Sequence, residues 1–254
     1  MLKQRIELFR LFGFPVRIDP SWLLILGLVT YSLSAGYFPE NHPGMPKTAY
    51  WAMGFVAAIG LFASILFHEV SHSLVARHFK MKIDGITLFI FGGVAELKEE
   101  SPSPKIEFLV AVVGPITSIL FGYGFLKLSS YGEAFHWNKP LVLIFYYLGF
   151  MNVLLGLFNL IPAFPLDGGR VFRSLMWALK KDYLWATRLA AAMGKIFGWI
   201  LVGLGAVEWI RGSGFGGIWY ILIGLFLRQA AQNILAKLPK SQPEQGQDKQ
   251  PDPD

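Results

Sequence analysis

Six apolar runs divide this 254-residue chain, at roughly 22–37, 51–67, 108–128, 141–160, 184–210 and 215–231. A helix needs about 20 apolar residues to cross ~30 Å of hydrocarbon, and most of these runs approach or exceed that length. The first is short, and the fifth carries Lys195. In lipid every backbone N–H and C=O must be satisfied internally, so runs of this kind fold as spanning helices. The expected fold is an all-α polytopic membrane protein of about six transmembrane helices. Composition agrees: 54% hydrophobic residues, 8 Trp and 22 Phe exceed what a soluble core of this size needs.

The net charge of +6 raises the question of a nucleic-acid partner, and the placement of the 23 basic residues answers it. With a cytoplasmic N-terminus, the inner segments hold 18 of them, among them Arg5, Arg17, Arg77, Lys80, Arg170, Arg173 and Arg228. The outer segments hold only Lys47, Lys127, Lys139 and Arg211. This is a positive-inside distribution with both termini cytoplasmic. The charge reports topology in a lipid bilayer, and no nucleic acid is expected. With no Cys, disulfides and thiolate metal sites are excluded, so any metal must use His and carboxylates. The first run reads as a retained helix rather than a cleaved signal, because about twenty residues with Phe and Pro precede it.

Between the runs the pattern changes. Residues 1–20 contain Phe12-Gly13-Phe14-Pro15-Val16-Arg17-Ile18-Asp19-Pro20, where two prolines and mixed polarity predict an extended interfacial segment. Residues 81–98 turn β-rich (Ile83, Ile86, Thr87, Phe89, Ile90) around Gly92-Gly93, which predicts a hairpin or re-entrant loop. Such backbone is tolerated at membrane depth only against protein or a water-filled cavity. The expected domain is therefore a six-helix unit over 1–238. The Pro-, Gln- and Asp-rich stretch 239–254 is expected to be a disordered cytoplasmic tail.

At the end of the second run stands His68-Glu69-Val70-Ser71-His72. Histidines four residues apart lie about 40° apart around a helix, so both imidazoles can bind one Zn²⁺. Glu69 lies about 100° from His68, where a carboxylate can act as general base toward a zinc-activated water. For this composition chance predicts only about 0.004 such motifs in the chain, and ionisable groups in spanning segments are usually functional.

A catalytic zinc takes a third protein ligand and keeps one open position. His78 has the spacing of an extended motif, but Val75 stands where a chain-turning glycine is needed, and a continuing helix puts His78 about 240° from His72. His42 and His136 fall on the outer side. Asp167 closely follows the fourth run, within Asn159-Leu-Ile-Pro162-Ala-Phe-Pro165-Leu-Asp167-Gly168-Gly169, and reaches the same face as His72. It is the favoured third ligand; the plain alternative is an Asp-Gly turn ending a helix.

HEVSH, FGGVAEL, AVVGPITS and NLIPAFPLDGGR, in this order, resemble the site-2 protease family of intramembrane zinc proteases over about residues 13–228. The resemblance implies that His68, His72 and Asp167 bind one Zn²⁺ per chain and that Glu69 is the base. It also implies that Asn159, Pro162 and Pro165 shape the substrate site, and that Gly92 and Gly93 belong to a β element aligning unwound substrate. Substrates would be transmembrane segments of single-pass membrane proteins, cut near the cytoplasmic face of a prokaryotic cell membrane under a membrane regulatory partner. The chain looks like the minimal six-helix branch, as in sporulation-factor-processing proteases, with no room for a PDZ insert and a polar tail where another branch carries nucleotide-sensing CBS modules. Gly114-Pro115 and Gly194-x-x-x-Gly198 are read as close helix packing. Two rivals stand beside the protease: a substrate-binding pseudoprotease, although ligands and base are all present, and a transporter relaying ions through buried His and Asp.

Overall fold

The computed structural model describes residues 5–90, 92–97, 99–212 and 214–238, so the expected tail at 239–254 lies outside the described residues. Strands β1 (Ile6–Leu11) and β2 (Phe14–Ile18) precede α1 (Ser21–Ser32), which continues through a π-helical turn at Leu33–Tyr37 into α2 (Phe38–Asn41). There follow α3 (Lys47–His78), the hairpin of β3 (Ile83–Phe89) and β4 (Gly92–Leu97), then α4 (Pro104–Ala134), α5 (Lys139–Asn159), α6 (Asp167–Lys180), α7 (Tyr183–Ile210) and α8 (Gly214–Lys237). Among the described residues, six helical segments are long and apolar enough to cross a membrane. The chain is an integral membrane protein, and its surface there carries exposed Leu24, Leu120, Trp199 and Ile200, as a lipid-facing bundle requires.

The second span runs further than its apolar stretch. The run of lipid-compatible residues ends at 67, but α3 continues to His78, because its C-terminal end packs on protein. Leu66 and Val70 of α3 close over Phe14, Val16 and Ile86 of the sheet, with Val16 and Ile86 wholly buried. HEVSH therefore lies inside a helix and not at its end.

The segment expected to be interfacial and the expected hairpin join in one four-stranded sheet, in the order β1-β2-β3-β4. β2 joins β3 in parallel, with Val16 opposite Ile86 and Ile18 opposite Leu88. β3 and β4 form the expected hairpin, pairing Leu88 with Gly93 and Phe89 with Gly92. This leaves β4 at one edge of the sheet. Arg77, near the end of α3, donates to the Phe12 carbonyl at 2.6 Å and lies over the Phe14 ring, tying the first hairpin to α3.

At the other end of α3, Leu33, Phe38, Tyr50, Met53 and Leu148 form an apolar core where the π-helical turn, α3 and α5 meet. α7 and α8 pack through glycines: a Cβ at Gly198 would lie 2.7 Å from the Gly224 carbonyl oxygen, and one at Gly205 would lie 2.6 Å from that of Gly217. Removing the side chains lets the two backbones approach, which is how membrane helices gain contact without a hydrophobic drive. α6 has no counterpart among the six apolar runs. It opens on Asp167-Gly168-Gly169-Arg170, and its polar residues take it out of any search for spans.

Candidate metal centre

His68 and His72 stand one turn apart on α3 with their Nε2 atoms 3.1 Å from each other. Asp167, the first residue of α6, brings Oδ2 to 3.0 Å from His68 Nε2 and 3.2 Å from His72 Nε2. Both histidines are buried, and the Asp167 side chain is 13% exposed. Among the described residues these three form the one group of His and carboxylate side chains placed to share an ion.

The far nitrogen of each ring decides what the near one offers. His72 Nδ1 lies 2.6 Å from the Val110 carbonyl oxygen, which can only accept, so Nδ1 carries the proton and Nε2 presents a lone pair. His68 Nδ1 is 2.9 Å from Ser118 Oγ, which can accept in the same way. In these neutral tautomers two nitrogen lone pairs and a carboxylate oxygen converge with no proton between them, an arrangement that a shared cation stabilises. Bonds of 2.0–2.1 Å to a tetrahedral zinc set its ligands about 3.4 Å apart, close to the observed spacings. The donor set fits zinc, with each histidine oriented by a second partner as metal-binding histidines usually are.

α4 supplies both of those partners and also the room for the rings. A Cβ at Gly114 would lie 2.2 Å from His72 Nε2 and 2.7 Å from His68 Nε2. The close packing expected of Gly114 thus occurs against the His68 and His72 rings themselves. Gly194 and Gly198 differ: Gly198 packs α7 on α8, whereas a Cβ at Gly194 would lie 2.1 Å from the Phe164 carbonyl oxygen, so α7 presses on the loop that leads to Asp167.

That loop is held from several sides. Gly168 and Gly169 let the first turn of α6 sit against its backbone, since Cβ atoms there would come within 2.3 Å of Leu160 O and 2.5 Å of Phe164 N. Phe164 is buried against Ala190 and Ala191, and Leu166 against Leu201 and Leu227. Two turns along α6, Arg173 donates through Nε to Glu107 Oε1 at 2.8 Å and through Nη2 to the same oxygen. Its guanidinium also lies over the Phe164 and Tyr183 rings, 4.9 and 4.8 Å from their centroids. Glu107 is wholly buried on α4, one turn before Val110. One ion pair therefore fixes α6 to the helix that orients the histidines.

A cavity of about 240 Å³ opens on the triad and is lined by Glu69, Gly92, Gly93, Asn159 and Pro165. Gly93 lets β4 approach Glu69, because a Cβ there would lie 2.7 Å from Glu69 Cγ. Asn159 donates to the Leu155 carbonyl at 3.0 Å. Pro162 is exposed and is not part of this lining. His78 is exposed, its ring 5.2 Å from that of Phe79, and His42 and His136 lie in loops away from the cavity.

Peptidase family M50 matches this chain over residues 56–133 and 124–203, which takes in α3 from mid-helix, the hairpin, α4 to α6 and most of α7. The chain belongs to this family, the site-2 proteases. A Synechocystis relative is 40% identical over 232 residues, 91% of this chain and 59% of its own. The zinc metalloprotease of Methanocaldococcus jannaschii is 33% identical over 227 residues, 89% of this chain and 59% of its own. The chain thus spans about three fifths of the length of these curated relatives. The solved structure of the site-2 protease from Methanocaldococcus jannaschii matches with a TM-score of 0.63 at 29% identity, covering 94% of this chain and 99% of that one. The expected fold and family both hold.

Two polar residues of the cavity lining, Ser73 and Arg170, have no site role in the sequence reading. Ser73 is wholly buried, lines the cavity, and its hydroxyl has no hydrogen-bond partner among the described residues. Arg170 lines it from α6. Helical spacing contained the signal, since Ser73 follows Glu69 by four and Arg170 follows Asp167 by three. Arg170 had entered only as a loop charge.

Proposed function

We propose that the chain is an intramembrane zinc metalloendopeptidase that cuts transmembrane segments of single-pass membrane proteins near the cytoplasmic face. The observation that carries this reading is the convergence of His68, His72 and Asp167 beside Glu69, in a cavity within a bundle of membrane-spanning helices. Zinc held by the three would supply Lewis acidity, lowering the pKa of a bound water to about 7 and polarising a carbonyl. Glu69, half-buried on the cavity wall, takes the proton of the attacking water and returns it to the departing amine.

A helix cannot be hydrolysed while its backbone is internally bonded, so the substrate must enter extended. β4 meets that need. It is an edge strand whose Gly92, Gly93 and Val94 line the cavity, and an extended segment laid along it would find partners for its N–H and C=O groups. Asn159 and Pro165 would border the same path. The cytoplasmic placement of the cut and of both termini rests on the 18 basic residues of the inner segments. The relatives are prokaryotic, which supports a prokaryotic cell membrane, and a membrane partner is the expected regulator.

The test compares wild type with Glu69→Gln on a single-pass reporter in liposomes, with zinc measured in both. Loss of general-base catalysis lowers the rate by roughly 10²–10⁴-fold while zinc stays at one per chain. Equal cleavage by the two proteins sinks the assignment, and proton or ion flux lost with Glu69→Gln but no cleavage selects the transporter.

A further inference from the structure

The helix that supplies Asp167 carries two arginines one turn apart, and they are treated differently. The charge of Arg173 is met by Glu107 and by two aromatic rings. Arg170 is half-buried and lines the cavity beside His68, Glu69, His72 and Asp167. Its side chain has no hydrogen bond, ion pair or ring contact among the described residues. Asp167, three residues earlier, spends Oδ2 on the two histidines and makes no ion pair with it. A half-buried arginine on a cavity wall with no anion beside it loses hydration that nothing in the protein replaces, which favours a partner that supplies an acceptor. Here that partner must enter the cavity.

On the reading proposed above, what enters is an extended peptide, whose carbonyl oxygens are its only backbone acceptors. Among the other side-chain donors on the cavity wall, Asn159 spends one of its two amide N–H groups on Leu155 O, and Ser73 offers a single short hydroxyl. A guanidinium offers five N–H donors in a planar fork and keeps its proton throughout. We infer that Arg170 is a catalytic residue of this site, its guanidinium donating to the carbonyl oxygen of the peptide bond being cut. As water oxygen bonds to the carbonyl carbon, the π pair moves onto the carbonyl oxygen and one water proton passes to Glu69. When the C–N bond breaks, the pair returns and the amine leaves with that proton. Arg170 holds the oxygen most strongly between these events, when its charge is greatest.

The experiment uses the full chain in micelles, as wild type, Arg170→Gln, Arg170→Lys and Glu69→Gln. It measures kcat and KM on a transmembrane reporter, zinc content, and binding of a phosphinic peptide whose tetrahedral anion replaces the scissile bond. Removing one donor to a developing oxyanion lowers kcat by about 10²–10³-fold. Arg170→Gln should show that loss with KM changed less than about threefold and zinc unchanged, and should bind the phosphinic peptide about 100-fold more weakly. Arg170→Lys should recover part of both. The inference is overturned by unchanged kcat, by a loss confined to KM, or by loss of zinc. If wild type and Glu69→Gln cut alike, the protease reading fails by itself; equal phosphinic binding by wild type and Arg170→Gln then overturns the role of Arg170 separately.

Discussion

On α3, His68, Glu69 and His72 take their relative positions from the helix that carries them; on α6, Asp167 takes its position from contacts made elsewhere in the chain. The first half of the site needs only a helix through 68–72, and its far ring nitrogens find Val110 O and Ser118 Oγ on a single neighbour, α4. The second half needs Gly168 and Gly169 against the 160–164 backbone, Gly194 against Phe164, and Arg173 against Glu107. A ligand set by local geometry tolerates distant change, whereas one set by tertiary contacts can be lost without touching the ligand. This difference has measurable consequences.

The largest is expected at Asp167 itself. Altering a partner behind a ligand typically costs 10–100-fold in metal affinity. Asp167→Ala removes a donor outright, so zinc affinity should fall by more than about 100-fold and the purified variant should carry little zinc. Elemental analysis checks this. Full zinc in that variant would mean that the α3 half suffices alone, and the two-part description would fail.

Next comes the clamp. Arg173→Met leaves the Glu107 carboxylate, wholly buried, without its cation. Breaking a buried pair by removing one partner destabilises by about 3–5 kcal/mol. Thermal unfolding in micelles should show that loss, and zinc should leave at a lower temperature than the bundle unfolds, because α6 detaches first. Coincident transitions would show that α6 is no more fragile than α3.

The same contrast explains what could be read from the amino-acid order. HEVSH was legible because helix periodicity places the two rings and Glu69 together whatever surrounds them. Asp167 was legible as the favoured ligand because the loop charges set the face on which α3 and α5 end, and the residues between them carry few alternatives. The sheet was half legible: β3 and β4 adjoin, but β2 meets β3 across 70 residues, Val16 opposite Ile86, and no local pattern encodes that parallel pairing. α6 forms no apolar run because it is amphipathic, with Val171, Phe172, Leu175 and Leu179 at helical spacing on one face and polar residues between them. Arg173 and Gly114 were read as a loop charge and a packing residue, since their partners, Glu107 and the histidine rings, lie on other elements. Periodicity reports neighbours within an element; the half of the site that depends on neighbours between elements stayed hidden.

The smallest effect tests the sturdier half. Ser118→Ala deletes the acceptor for His68 Nδ1 but leaves His72 on Val110 O, a backbone group that substitution does not remove. The freed ring can then turn or take its proton on Nε2, the nitrogen that faces the ion. Since the helix still aims the imidazole, the cost should lie at the low end of the range for such partners, about 10-fold in zinc affinity, with the unfolding temperature nearly unchanged. Competition with a chelator of known affinity measures it. A loss as large as that of Asp167→Ala would show that helix geometry alone does not hold the histidine, and that α4 is as necessary to the first half of the site as Glu107 and Arg173 are to the second.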